Sequence, residues 1–457
     1  MARNSLPRIS TIALVAAAAL LAAGCDRSPD LTEASTWETI QTKILEPNCT
    51  GCHAAGTNFA RQSDLVLTED VAYDQLVDVP PTNLAAKANG LVRVSSEGLA
   101  GLDKSFLWEK INVREREHFL TDHPEYGSMM PLGAPPLTNG EIELIRLWIV
   151  AGAPRDMQVT DPDAVLADRS RFEEEEVFVP LSEPAEGVAF RLGPFDVAPD
   201  FEREFLYFEP MAHGEDLLVN RFEISMRPGS HHFIFYMHAD DTPAELAPEA
   251  NVYRDIRSPG GSLVLENIRI MEHLVFFAGT QWPSVDYRFP PGVALRLPAG
   301  KGLDLNSHYV NRTASPYLGE VHANLHTVDA AAVENVAEVL FLNNLDITLP
   351  PQQTTTLTRT FHFSQRRLIF MLFSHAHQHM QEFRVYVDGG PRSGELVYIS
   401  YDWEHPPIAD IDPPLTLEAG EGLRLEATYN NWTDRTLTFG LLSEDEMMIL
   451  SGYYFED

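Results

Sequence analysis

Arg227-Pro228-Gly229-Ser230-His231-His232-Phe233-Ile234-Phe235-Tyr236 reads as a turn that opens into a short apolar strand. The pattern recurs from about Val177 onward. Ala294-Leu295-Arg296-Leu297 and Phe383-Arg384-Val385-Tyr386-Val387 are runs of the same kind, and Pro228-Gly229, Gly260-Gly261 and Gly389-Gly390 punctuate them. Many short β-branched and aromatic runs between turn residues predict antiparallel β-sandwiches. The stretch is comfortable for two, over residues 185–328 and 329–457.

The whole chain has 457 residues, enough for two to four domains. Its 67 acidic residues against 33 basic ones give a net charge of -34, which argues against nucleic acid as a partner, because phosphate binding needs clustered Lys and Arg. Arg3 and Arg8 precede an apolar run, Ile12 to Ala23, that is too short to span a bilayer comfortably. It ends in Leu21-Ala22-Ala23-Gly24-Cys25, which resembles the bacterial lipobox. Residues 1–24 are then expected to be a lipoprotein signal peptide, Cys25 the lipid-bearing N-terminus, and residues 25–35 a tether. Asp26 resembles an inner-membrane retention signal. The expected location is the periplasmic side of the cell envelope, anchored by lipid, with the inner membrane favoured.

Of three cysteines, the other two lie in Cys49-Thr50-Gly51-Cys52-His53. Two thiols at this spacing suit thioether attachment of a haem c, with His53 on the iron. A zinc half-site would want further Cys or His nearby, and no other Cys remains. Gly127-Ser128-Met129-Met130-Pro131 resembles the Met-Pro ligand loop of small bacterial cytochromes c. Met130 is the better second ligand, Met129 the alternative, and His118 and His123 lesser ones. Trp37, Ile40, Ile44 and Leu45 recur at helical spacing. Thr138 is a good N-cap for the run from Glu141 to Ile149, and Gly152 is a stop signal. Residues 36–156 are therefore expected to form a mainly α, cytochrome c-like haem domain, with an insertion between Ala54 and Asp122. An acidic linker over 157–184 follows.

Sixteen histidines are present, several in unusual patterns. In a strand, side chains at i and i+2 share a face, so His375 and His377 can chelate one metal. A thioether such as that of Met447 would complete a set suited to copper, especially Cu(I). His231 and His232 would diverge in a regular strand, so joint ligation needs a bulge or different ring nitrogens. With His308 they would make an all-imidazole site suited to copper or zinc.

The succession of His231-His232, His308, His375-Ala376-His377 and Met447 resembles the copper type II, ascorbate-dependent monooxygenases, the peptidylglycine-hydroxylating and dopamine β-monooxygenase enzymes. Asn306-Ser307-His308-Tyr309-Val310-Asn311 is similar to their H-Y-x-N stretch, and Tyr401-Asp402-Trp403 to their Y-D-F. Thr428-Tyr429-Asn430-Asn431, Thr438-Phe439-Gly440, Glu444-Asp445-Glu446-Met447 and Tyr453-Tyr454-Phe455 resemble their closing segment. The likeness spans about residues 185–457. It implies two jelly-roll sandwiches with a copper on each, facing a solvent-filled cleft. His231, His232 and His308 would hold the electron-transfer copper, and His375, His377 and Met447 the catalytic one. His379 has no clear counterpart. His238, His273, His322, His326, His362 and His405 receive no role. The family's disulfides, including one beside Met448, cannot form here.

The expected fold class is thus multidomain, a mainly α cytochrome c domain followed by all-β tandem jelly-roll sandwiches. The expected function is copper-dependent hydroxylation of a C–H bond with O2, using two copper ions, one haem c, an external electron donor and a small-molecule or peptide substrate. The alternative is a copper- and haem-binding electron-transfer or redox-sensing lipoprotein without oxygenase activity.

Overall fold

The computed structural model describes residues 34–115, 119, 122–172, 177–441 and 444–456. The export signal, Cys25 and His118 lie outside the described residues. Among the described residues, no helix is long and apolar enough to cross a membrane.

From Val177 onward the apolar runs form strands. One sheet of five orders them as Tyr253–Asp255, Phe201–Glu209, Leu303–Asn311, Ser230–His238 and Leu274–Thr280. A second sheet of nine runs through both halves of the β region. Its first half holds Gly187–Val197, Tyr317–Thr327, Leu217–Met226 and Val293–Leu297, with Ser284–Arg288 also paired to Leu217–Met226. Its second half holds Asn335–Asn343, Ile449–Phe455, Arg367–His375 and Ala409–Leu417. Asn335–Asn343 joins the halves by pairing parallel to Val293–Leu297. Four strands, Gln353–His362, Gly422–Asn431, Met380–Asp388 and Leu396–Ser400, make a third sheet that covers the second half.

Period-two burial explains the packing. Phe190 and Leu192 are buried on Gly187–Val197, the register shifts between Leu192 and Phe195, and Phe195 and Val197 resume the inward face. Phe190 meets Phe235 of the opposite sheet at 5.1 Å between ring centres. Each such buried ring contributes about 1.5–3 kcal/mol. The apolar core of the first sandwich also takes in Phe370, Met371 and Tyr453 of the second. The Tyr453 hydroxyl donates to the Phe277 carbonyl at 3.0 Å. The two sandwiches are therefore welded along their shared sheet.

Leu303–Asn311 is buried on both faces. Leu303, Leu305 and Tyr309 enter the core. Alternation puts Asp304, Asn306 and His308 on the other face, and they are buried too. A buried polar face costs free energy unless its groups are hydrogen-bonded or bound, so this face marks the site.

The expected mainly α, cytochrome c-like domain over residues 36–156 does not appear, and the expected fold class is corrected. The protein is mostly β-sheet, 40% strand against 20% helix, with short helices and no helical cytochrome c domain. The β part is one continuous assembly with a shared sheet, not separate sandwiches in tandem. The two helices read from the sequence do form. Thr36–Ile40, Gln41–Leu45 and Glu46–Asn48 run on as one helical stretch through a π turn. Asn139–Val150 starts at a Thr138–Glu141 capping box and ends before Gly152, whose φ is 87°. Between them the described helices have at most seven residues. The physical reason is punctuation: Pro80-Pro81, Gly90, Gly98, Gly127, Pro131 and Pro135-Pro136 cut the segment, and those three glycines have positive φ.

This segment docks on the second sandwich. Arg61 and Arg392 each grip the buried Glu395 carboxylate through paired 2.7 Å bonds. The Gln62 side chain donates to the Asp410 and Asp412 carbonyls, and Thr57 bridges to Leu396. Residues 162–166 form a helix that folds back near Gly140.

Candidate metal centre

His231 and His232 meet because the strand is bulged. Ser230 lies opposite Tyr309 and His232 opposite His308, so His231 is the extra residue. Both rings then converge, with Nδ1 atoms 3.0 Å apart. A ligand atom each from His231, His232 and His308 lies within 4.8 Å of the others. Of the two routes the sequence left open for joint ligation, the bulge is present.

His375 ends the strand Arg367–His375, and His377 follows in extended chain. Their ring centres are 5.3 Å apart. His375 also lies 6.2 Å from His231 and 6.3 Å from His232, and His377 lies 6.5 Å from His231. The five imidazoles thus form one cluster across the junction of the sandwiches. This differs from the solvent-filled cleft that the resemblance implies. The cause is the welded junction: Gln281, beside the first sandwich's edge, reaches both His375 and the Trp403 carbonyl.

Three rings have one nitrogen committed outside the cluster. Asn306 Oδ1 accepts from His232 Nε2 at 2.7 Å, which turns its Nδ1 toward His231 Nδ1. Gln281 Oε1 accepts from His375 Nδ1 at 2.8 Å, leaving Nε2. The Asp445 carbonyl accepts from His377 Nδ1 at 3.2 Å, leaving Nε2. Metal-bound imidazoles are oriented in this way. Asn306 is held in turn by Glu204, whose other oxygen accepts from Arg257 at 2.7 Å. Burial would push the Glu204 carboxyl up, but His308, His232 and Arg257 pull it well below the carboxylate range.

Burial, with the neighbouring imidazoles, holds His231 and His375 well below the usual range, and burial lowers His308. All three are therefore neutral and able to ligate at neutral pH. His231 Nε2 is buried with no hydrogen-bond partner, while His308 Nε2 faces the Glu202 carboxylate at 3.5 Å. An orphaned imidazole nitrogen inside a five-ring cluster fits a bound metal.

Met447 is buried at 8% exposure but belongs to neither sandwich core, whereas its neighbour Met448 sits in the second core and accepts from Asn344 through its sulfur. Adjacent residues in extended chain point opposite ways, so the Met447 side chain leaves the core. Glu446 ties its backbone to that of His377. Glu446 Oε2 accepts from the amides of both His377 and Met447, at 3.1 and 3.3 Å, and Oε1 from the His379 amide at 2.8 Å. Burial pushes this carboxyl up to about 8, against the pull of the three amides. His379 itself stacks on Trp432 at 4.0 Å and bonds to the Asn430 carbonyl, and is not among the clustered rings.

Cys49 and Cys52 are both free thiols, pushed up to about 12 by burial. The His53 amide donates to the Cys49 carbonyl at 2.9 Å, so the motif is one helical turn. His53 Nδ1 bonds to the Leu65 carbonyl at 3.2 Å, which leaves Nε2 for an axial bond, and burial lowers its pKa. Met130 packs on the apolar cluster that also holds Cys49, and Met129 bridges that cluster to a smaller one. These residues fit a covalently attached haem.

Sequence reading missed Glu204, Gln281 and the bracing role of Glu446. Glu204 sits in ordinary strand context and Gln281 just past the end of Leu274–Thr280, and only cross-sheet placement reveals them. A cavity of about 700 Å³ opens beside His231, lined in part by Val310, Arg312, Tyr317, Leu318 and Trp403.

Two expected results follow here. Asn306→Leu frees His232 to rotate and change tautomer. Metal affinity should fall about 10–100-fold, read by competition with a chelator. Metal-free protein should also lose stability as pH falls. His377 titrates at 6.5 when unfolded and about 4 when folded, so the unfolded state binds the extra proton between these values. Thermal midpoints should drop through that window, by about 3 kcal/mol in stability from this ring alone, and level off below it. His377→Gln should flatten the slope.

No protein-family model matches the chain, and no curated protein matches it by sequence. Among solved structures it is similar to a recombinant peptide N-glycanase F, at 10% identity and a TM-score of 0.26, over 60% of this chain and 96% of that one. A second structure, of a peptide-N(4)-(N-acetyl-β-D-glucosaminyl) asparagine amidase, matches at 8% identity and 0.26, over 59% and 96%. The STIV MCP matches at 8% and 0.23, over 55% and 96%. Likenesses this slight carry no argument about fold or function, and none of these proteins bears on metal or haem chemistry.

Proposed function

We propose that the protein is a copper-dependent monooxygenase that hydroxylates a C–H bond, with electrons fed through a haem held at Cys49, Cys52 and His53. The observation that carries this reading is the five-imidazole cluster in which His375 and His377 each have one ring nitrogen fixed and one free, and the Nδ1 atoms of His231 and His232 face each other at 3.0 Å. His231, His232 and His308 would hold one copper, and His375, His377 and Met447 the other. Met130 would be a further residue holding the haem. When bound, copper supplies one-electron chemistry and a place to reduce O2, and haem supplies an electron reservoir.

The chain's own residues do the rest. Asn306, Gln281 and the Asp445 carbonyl hold the ring tautomers. Glu446 keeps the Met447 segment beside His377. The cavity beside His231 admits a small organic molecule, and its apolar walls suit a C–H donor, with Arg312 at the edge. Balanced hydroxylation consumes O2, two protons and two electrons, and yields one alcohol and one water. Export and a lipid on Cys25 would place this chemistry at the periplasmic face of a membrane.

The test is metal and haem analysis of purified protein, then an oxygen-consumption screen of C–H donors with a reductant. The reading expects copper, one haem c and substrate-dependent oxygen uptake. Copper and haem without uptake for any donor would favour an electron-transfer protein.

A further inference from the structure

The haem-attachment turn and the imidazole cluster are joined by three consecutive residues. At one end, a Cβ added to Gly51, inside Cys49-Thr50-Gly51-Cys52-His53, would sit 3.3 Å from the Tyr401 hydroxyl oxygen. The Tyr401 amide donates to the Gly133 carbonyl at 2.9 Å, in the loop that follows Met130. Tyr401 thus touches both segments that would hold the haem. At the other end, the Trp403 ring lies 5.7 Å from the His231 ring, tilted by 34°. The Trp403 carbonyl accepts from Gln281, whose other end accepts from His375.

The loop between is braced. Asp402 Oδ1 accepts from the amides of Glu404 and His405, both at 2.9 Å, and Ser400 Oγ bonds to the Asp402 backbone. Trp282 stacks on His405 at 5.0 Å and donates to the Pro406 carbonyl. Packing and position of this loop are therefore fixed from both sides. Electron transfer falls steeply with the width of the insulating gap, so a rigid aromatic bridge between two redox centres has a direct use.

We propose that Tyr401-Asp402-Trp403 is the electron conduit from the haem to the copper cluster, with Trp403 the last group before His231. This rests on the functional reading above. One electron passes from ferrous haem, which becomes ferric, to cupric copper, which becomes cuprous. No bond forms or breaks and no proton moves. Tyr401 and Trp403 bridge the gap without being oxidised themselves.

The test uses the full, haem- and copper-loaded protein, fully oxidised and anaerobic. A laser flash with a ruthenium photoreductant places one electron on the haem, and decay of the ferrous absorption band is followed. Wild type should reoxidise its haem, and a copper-free sample should not. Trp403→Leu should slow the decay by about tenfold or more, equal to ~1.4 kcal/mol of added barrier, while copper content and the haem spectrum stay unchanged. Trp403→Phe should restore part of the rate. Tyr401→Leu, at a more exposed position, should slow the decay from the other end and serves if Trp403→Leu fails to fold. Decay at the wild-type rate in both Leu variants overturns the conduit and leaves the functional reading standing. A wild type that binds both cofactors yet shows no copper-dependent decay overturns the reading and the conduit with it.

Discussion

Replacing His377 with alanine should reduce oxygen consumption by more than about a hundredfold, because even partners one bond beyond a ligand are worth 10–100-fold in affinity or activity. The ring is 4% exposed and lies 5.3 Å from His375, so no water or neighbouring side chain can take its place without rearrangement. Its Nδ1 is bonded to the Asp445 carbonyl, and removal leaves that acceptor unpaired as well. Copper content should fall by about half, since His231, His232 and His308 remain a complete set. Haem content and its spectrum should not change. The measurements are oxygen uptake, copper by elemental analysis, and the haem absorption spectrum. Full copper content with full activity would remove His377 from the site.

Glu446→Ala should be the most destabilising single change near the site. One fully buried carboxylate accepts from three backbone amides, those of His377, His379 and Met447. Alanine strands all three away from water, and each buried unpaired amide costs about 1–3 kcal/mol. The expected loss is about 3–5 kcal/mol, read from denaturant unfolding. The same change unties Met447 from His377, so copper retained at high chelator should fall in step. Glu446→Gln keeps one acceptor oxygen and should recover part of both losses. A stability loss under about 1 kcal/mol would mean that the amides find other partners.

Much of the site was legible in the sequence because its grammar is local. The need for a bulge at His231-His232 follows from period-two geometry, and the strand pairing supplies it. The shared face of Asp304, Asn306 and His308 follows from the same alternation. Gln281 and Glu204 were not legible. Each becomes meaningful only when a neighbouring sheet brings His375 or Asn306 against it, and no spacing rule encodes that.

The N-terminal segment was misread for a related reason. Its two end helices carry clear signals, the spacing of Trp37, Ile40, Ile44 and Leu45 and the Thr138 cap. Classing the whole segment as mainly α ignored how often Pro and Gly recur between those ends. The fusion of the two sandwiches into one shared sheet was also invisible. It depends on a parallel pairing of Asn335 with Val293, two residues far apart along the chain, whereas the other described strand pairs are antiparallel.

The central claim is that imidazoles and one thioether bind copper where the sandwiches meet. X-ray absorption at the copper edge, on reduced protein, tests it most directly. The account predicts two coppers per chain, imidazole scattering from both, and a sulfur shell that disappears in Met447→Leu while the imidazole signal persists. Absence of copper, or a sulfur shell unchanged by Met447→Leu, would contradict it.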